Sequence, residues 1–252
     1  MKQTLIAHVG NPGFGATERR DRWWLQLSLV ALGLAVFVVY STWAALAGTD
    51  YRFGPYLSPF YSPYLRPAWF PFSGALLVLW IPLGFRLSCY YYRKAYYRAY
   101  FLSPPACAVS EPRRAYTGEI AFPLNYMTIA HRWFLYLSIL VLLWLWVDAV
   151  RAFDFNGRFG IGVGSLVMLA NVVMLSGFTF GCHALRSVVG GNVRCFSCAR
   201  FGDIRYGAWR AVTRLTQQHP FWAWCSLYSV GLTDLYIRLC AIGVLHDYGL
   251  IL

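Results

Sequence analysis

Five stretches of this sequence, 23–47, 72–89, 132–152, 160–182 and 220–241, are apolar over lengths that suit a membrane. A helix rises about 1.5 Å per residue and the hydrocarbon core of a bilayer is about 30 Å thick, so runs of roughly twenty apolar residues are read as transmembrane helices. Composition agrees: 58% of the 252 residues are hydrophobic and only 13% are charged, against about 25% charged in a usual soluble domain. The sequence therefore predicts an all-α polytopic protein, a bundle of five spans forming one membrane domain over 1–252. The second run is short and contains Pro82, which predicts a bend there. The first run follows Glu18-Arg19-Arg20-Asp21-Arg22 without a cleavage-site pattern and is too long for a signal-peptide core, so it is kept as the first helix.

The cationic side chains set an orientation. Seventeen of the 22 Lys and Arg fall in the N-terminal arm and the 86–132 and 186–218 connections; Arg52, Arg66, Arg151, Arg158 and Arg238 fall on the other side. Basic connections are retained in the cytoplasm, which predicts a cytoplasmic N terminus and an external C terminus in the cytoplasmic membrane. The net charge of +12 is mostly this asymmetry, and it suits an acidic lipid surface or an acidic docked partner. Its arrangement by membrane side, and not along one soluble domain, argues against nucleic acid.

On that topology Cys89, Cys107, Cys182, Cys195 and Cys198 all sit at the cytoplasmic face, and no outer loop holds a cysteine. The distribution predicts reduced thiols or metal ligands in place of disulfides. His131 opens the third run, His183 follows the fourth and His219 precedes the fifth, so three imidazoles share the depth of Cys89 and Cys182. Taken singly, a buried Cys packs as a small apolar residue and a helix-end His anchors at headgroups. Taken as a set on one face, they indicate a redox cofactor.

Other features are weaker. Cys195-Phe-Ser-Cys198 is a lone CxxC, a reserve ligand pair. Cys182 and His183 are adjacent and would diverge by about 100° on a helix, so joint ligation requires the helix to unwind near Gly181. Gly160-x-Gly162-x-Gly164 is read as permitting close helix packing and not phosphate binding. Pro55, Pro59, Pro63, Pro67 and Pro71 recur among Tyr and Phe, which excludes a regular helix and predicts a folded aromatic cap at the outer interface. Asp234 is expected to pair with Arg238 and Asp148 with Arg151.

The segments PLGFRLSCYYYRKAYYRAYFLSPPACAV (82–109), GPYLSPFYSP (54–63), YTGEIAFPL (116–124), HRWFLY (131–136), CHALRSVVGG (182–191) and LTDLY (232–236) resemble the membrane-anchor subunit of actinobacterial-type succinate dehydrogenase. The resemblance covers most of the chain after residue 20. It implies a haem-less five-helix anchor with a Rieske-type [2Fe–2S] cluster inside the membrane domain, docked flavoprotein and iron–sulfur subunits, and a quinone, menaquinone by class, as electron acceptor. The Cys-x-His and Cys-x-x-His pairs of soluble Rieske domains are absent from the sequence. Placement at the inner face then nominates Cys89 and Cys107 as thiolates and His131 and His183 as imidazoles, with Cys182 and His219 in reserve. Such a cluster has two thiolates on one iron and two imidazoles on the other, which raises its potential above an all-thiolate centre.

Between Cys89 and Cys107 the tyrosines and Arg93, Lys94 and Arg98 predict an amphipathic interfacial segment. A quinone needs hydrogen-bond donors in an apolar, aromatic cleft; the inner helix ends offer His219, Tyr90, Tyr91, Arg93, Trp23 and Trp24. Two other readings stay open: a haem b anchor using His131, His183 and His219 as axial ligands, and a non-redox transporter or scaffold.

Overall fold

A computed structural model describes residues 13–111 and 124–251; the 116–124 motif lies almost wholly outside them. The chain is mostly helical. The long helices are α1 (Trp23–Ala47), α2 (Leu76–Ser88), α4 (Leu124–Arg151), α5 (Val163–Phe180) and α8 (His219–Ala241); α3 (Tyr90–Phe101), α6 (His183–Arg186) and α7 (Gly202–Gln217) are connecting helices, with a π-helical turn at Ser187–Gly191. Among the described residues α1, α4 and α5 are long and apolar enough to cross a membrane. Outward-facing Leu29, Leu32, Val36 and Val39 on α1 and Leu140 and Leu143 on α4 are exposed, as lipid-facing side chains are in a chain whose solvent is hydrocarbon.

Two expected spans come out differently. The 72–89 run yields only the 13 residues of α2, with Pro82 inside it, about 20 Å of helix at 1.5 Å per residue. α8 has the length, 23 residues, but buries Asp234 and Arg238 in its body. α4 starts earlier than expected, taking in residues 124–131.

The long helices alternate in direction. One end of the bundle gathers the start of α1, the end of α2, the start of α4, the end of α5 and the start of α8. Its core is Phe85, Tyr92, Leu135, Phe178, Ala223 and Leu227 with Cys89 and Cys182.

The opposite end is closed by short strands that the all-α expectation lacked. Arg52–Phe53 (β1) pairs antiparallel with Tyr56–Leu57 (β2), and the sheet of Asp154–Phe155 (β3), Arg158–Gly162 (β4) and Gly249–Ile251 (β5) has the order β3-β4-β5. The β3–β4 hairpin turns through Asn156 and Gly157, both at positive φ, as a two-residue type I′ loop requires. The proline-rich stretch does fold as an aromatic cap: Tyr56, Phe60 and Tyr61 are buried, and Tyr51 stacks on Tyr61 with centroids 4.2 Å apart. Gly162 and Gly164 abut the Tyr56 ring, so these glycines admit a cap side chain and not a neighbouring helix.

Both expected ion pairs form. Arg238 Nε donates to Asp234 at 2.8 Å. Arg151 lies 3.8 Å from Asp148, whose nearer partner is the Ser62 hydroxyl. The expectation of free thiols fails at one place: Cys195 and Cys198 are joined as a disulfide, with Cα atoms 5.4 Å apart, inside the span a bridge can close.

Candidate functional site

Cys89 sits at a break in the chain. It ends α2 and precedes α3 in an extended conformation, φ −62° and ψ 129°, so the second helix stops and the tyrosine-rich helix leaves at a new angle. Cys182 does the same between α5 and α6, φ −67° and ψ 136°, and its Sγ accepts from the Ala184 backbone N–H at 3.3 Å. The unwinding that adjacency of Cys182 and His183 demanded is thus present. Both thiols are buried, as are His131 and His219.

Each thiol faces an imidazole. His131 Nε2 lies 3.1 Å from Cys182 Sγ, and His219 Nε2 lies 3.7 Å from Cys89 Sγ. The rings are fixed by stacking: His131 on Phe85 with centroids 4.7 Å apart, and His219 on Phe178 at 5.1 Å. Ser88 Oγ, 3.0 Å from His131 Nδ1, holds the remaining nitrogen, the usual way a partner fixes a ligating ring. The His183 ring stands 5.8 Å from that of His219 but is exposed at the rim. Desolvation on its inner side, with Arg186 adding to it, holds His183 below its ordinary pKa and so favours the neutral ring that binds metals.

These residues open on a cleft of about 720 Å³ whose wall includes Ser88, Cys89, His131, Cys182, His183 and His219. Of the residues nominated for quinone, Trp23, Tyr90, Tyr91 and Arg93 also line it. Trp24 does not; its side chain points outward with 51% exposure, one residue and about 100° further round α1. Cys107 lies outside as well. It is exposed, and its loop is tied to the N-terminal arm by Arg19 Nη1 on the Cys107 carbonyl at 3.0 Å and Thr17 Oγ1 on the Ala108 carbonyl at 2.7 Å. α3 runs along the cleft, with Lys94, Ala95 and Arg98 in its wall and Pro105 beyond, but the chain after that turn leaves Cys107 outside the lining.

Some residues escaped the sequence reading. Trp224 lines the cleft and donates Nε1 to Tyr91 Oη at 2.8 Å; its position one turn after Pro220 was the available signal. Gln26, Thr128 and Gln217 add polar groups to the wall.

Whether this donor set suits an iron–sulfur cluster is a question of number and spacing. Among the described residues no three His, Cys, Asp or Glu close on a point fit for a single metal ion. The donors come instead as two thiols and two imidazoles lining one cleft, the number and kinds of ligand that a Rieske-type cluster takes, two thiolates for one iron and two imidazoles for the other. His219 Nδ1 is buried and makes no hydrogen bond among the described residues, a costly state for a polar atom that has no other role. The residues fit the group.

A helical membrane chain with a thiol–imidazole cleft at one end of its bundle and a sealed cap at the other is the frame of a redox anchor subunit. The comparisons give the family. The profile described as actinobacterial succinate dehydrogenase subunit SdhC matches residues 25–243, and the chain belongs to that family. A chain of the Mycobacterium smegmatis Sdh1 complex in the apo form is 41% identical and superposes with a TM-score of 0.82, with 92% of each chain covered. A search of curated proteins gives no match. The protein is thus the membrane-anchor subunit of an actinobacterial succinate dehydrogenase and works in a membrane with the other subunits of that complex. It is part of an enzyme whose succinate-oxidising site lies in other chains.

Proposed function

We propose that the cleft houses a Rieske-type [2Fe–2S] cluster held by Cys89, Cys182, His131 and His219, and that this chain passes electrons from a docked iron–sulfur subunit to quinone. The observation that carries this reading is the burial of two thiols and two imidazoles as facing couples in one cleft. Cys182 takes the role that placement alone gave to Cys107, because a ligand must reach the cleft. His219 replaces His183 because its ring is buried and stacked, whereas His183 stands at the rim. When bound, such a cluster supplies one-electron transfer at a potential above an all-thiolate centre.

The chain's own residues do the rest. Phe85 and Phe178 lock the imidazole planes, and Ser88 fixes His131 by its second nitrogen. On the quinone side, Tyr91 accepts from Trp224 and so keeps its own hydroxyl proton to donate to a carbonyl. Arg93, Lys94, Arg98 and Arg132 form a cationic lining that suits both a developing quinol anion and an acidic docking surface. The buried thiols beside imidazoles favour the cluster over a haem. We place the cleft on the cytoplasmic side, with five spans, on the bias of Lys and Arg toward the connections at this end; α2 then reaches the far interface through the exposed aromatic residues Trp69 and Phe72 that precede it. Menaquinone is the class of acceptor.

The test is the His131→Ala/His219→Ala double variant of the assembled complex. The expected result is loss of the Rieske EPR signal and of quinone reduction, with succinate oxidation by a soluble artificial acceptor retained. An unchanged signal overturns the ligand set.

A further inference from the structure

Arg86 occupies the last turn of α2, three residues before Cys89. Its guanidinium makes three hydrogen bonds and every partner is neutral: Nη1 donates to the Tyr92 hydroxyl and to the Ala223 carbonyl at 3.4 Å, and Nη2 donates to Ser226 Oγ at 3.0 Å. Ala223 and Ser226 are completely buried. Among the described residues no carboxylate pairs with Arg86; the ion pairs found there are Arg19–Asp21, Arg151–Asp148 and Arg238–Asp234. The positive charge is therefore solvated by dipoles and not cancelled.

It is also aimed. The Arg86 Cζ sits 4.5 Å from the centroid of Phe178, the ring that stacks on His219. The neighbouring Phe85 stacks on His131. One guanidinium thus lies a single aromatic layer behind one imidazole and beside the residue that backs the other.

We infer that Arg86 is a fixed cation that sets the reduction potential of the centre held by Cys89, Cys182, His131 and His219. The inference rests on the ligand reading above. Reduction adds one negative charge at the centre, and an uncancelled positive charge in a low-dielectric wall stabilises the reduced form. Arg86 is half-buried, and charges that are partly buried are screened by salt less than exposed ones, so the effect persists at physiological ionic strength. Arg serves better than Lys here, because the planar guanidinium stacks on Phe178 while it reaches three acceptors.

The experiment is a redox titration of the cluster by EPR in the assembled complex. Arg86→Gln is expected to keep the signal but lower the midpoint by at least a tenfold change in the reduction equilibrium, 59 mV for one electron. Arg86→Lys, which keeps the charge, should stay close to the unmodified protein. Ser226→Asp offers a second route that leaves the guanidinium in place: its carboxylate should cancel the charge and lower the midpoint, whereas Ser226→Asn should not. The inference is overturned if R86Q and R86K shift the midpoint equally. It is also overturned if R86Q leaves the midpoint unmoved, or if S226D matches S226N. Absence of any Rieske signal in the unmodified complex instead removes the underlying ligand reading.

Discussion

The two ends of the bundle meet the same difficulty, polar and charged groups in an apolar chain, and resolve it in opposite ways. At the capped end two carboxylates, Asp234 and Asp247, are surrounded by donors. Asp234 accepts from Tyr40 at 2.6 Å, from Arg238 at 2.8 Å and from Ser58, while Arg238 also donates to the Thr49 and Ala44 carbonyls. Asp247 accepts from Tyr56 at 2.5 Å, from Tyr236 at 2.7 Å and from the Gly164 backbone N–H at 2.9 Å, which pins the C-terminal segment to the cap. At the cleft end the thiols and imidazoles meet only in weak pairs along the wall of an open cleft, Cys182 with His131 at 3.1 Å and Cys89 with His219 at 3.7 Å, His219 keeps an unused nitrogen, and Arg86 has only neutral partners. A closed network spends its donors on stability; an open one keeps them for a ligand.

Three experiments sharpen this contrast. The largest effect is expected at the cleft, where Cys89→Ser or Cys182→Ser should abolish the Rieske signal and quinone reduction. Cys107→Ser should leave both unchanged, and a loss there would return Cys107 to the ligand set. Next comes the capped end: Asp234→Leu strands the Arg238 charge in a buried site, a change of about 3–5 kcal/mol. Loss of the assembled complex on mild heating would show it, and the double variant Asp234→Leu/Arg238→Leu should recover most of the loss. If the single variant is as stable as the parent, the closed-network reading of this end fails. The smallest is Tyr56→Phe, which removes one hydrogen bond to Asp247, about 1 kcal/mol and more if the carboxylate is left short of donors. Proteolysis near residues 247–251 should become easier while the cluster signal stays unaltered; an altered signal would mean the two ends are not independent.

Parts of this layout were legible beforehand because they depend on local pattern. The apolar runs gave the helices, the prolines between 55 and 71 ruled out a helix there, and spacing gave the Asp234–Arg238 pair. The Asn156-Gly157 dipeptide carried a hairpin signal too, but strands of two to five residues leave no periodicity of their own, so the sheet went unseen. Among the cysteines, sequence placed Cys89, Cys107 and Cys182 at one face without separating them. What separates them is direction: the chain after α3 leaves Cys107 outside the lining and the N-terminal arm holds its loop there, whereas the break at Gly181 turns Cys182 inward.

The sequence by itself determined the solvent and the family: too apolar for water, too poor in charge for a soluble domain, and matched to an anchor subunit by its aromatic and basic segments. It also determined which residue types lie at one end, because helix length and alternation fix depth. The tertiary structure decided which of them face one another. Facing depends on helix rotation, on backbone breaks at Cys89 and Cys182, and on stacking of Phe85 and Phe178, contacts between residues 40 to 130 positions apart that no local pattern encodes. It decided, too, that Arg86 meets only the neutral acceptors Tyr92, Ala223 and Ser226, two of them on a helix more than 130 positions away, whereas the carboxylate that Arg238 meets stands four residues back on its own helix and was legible from spacing.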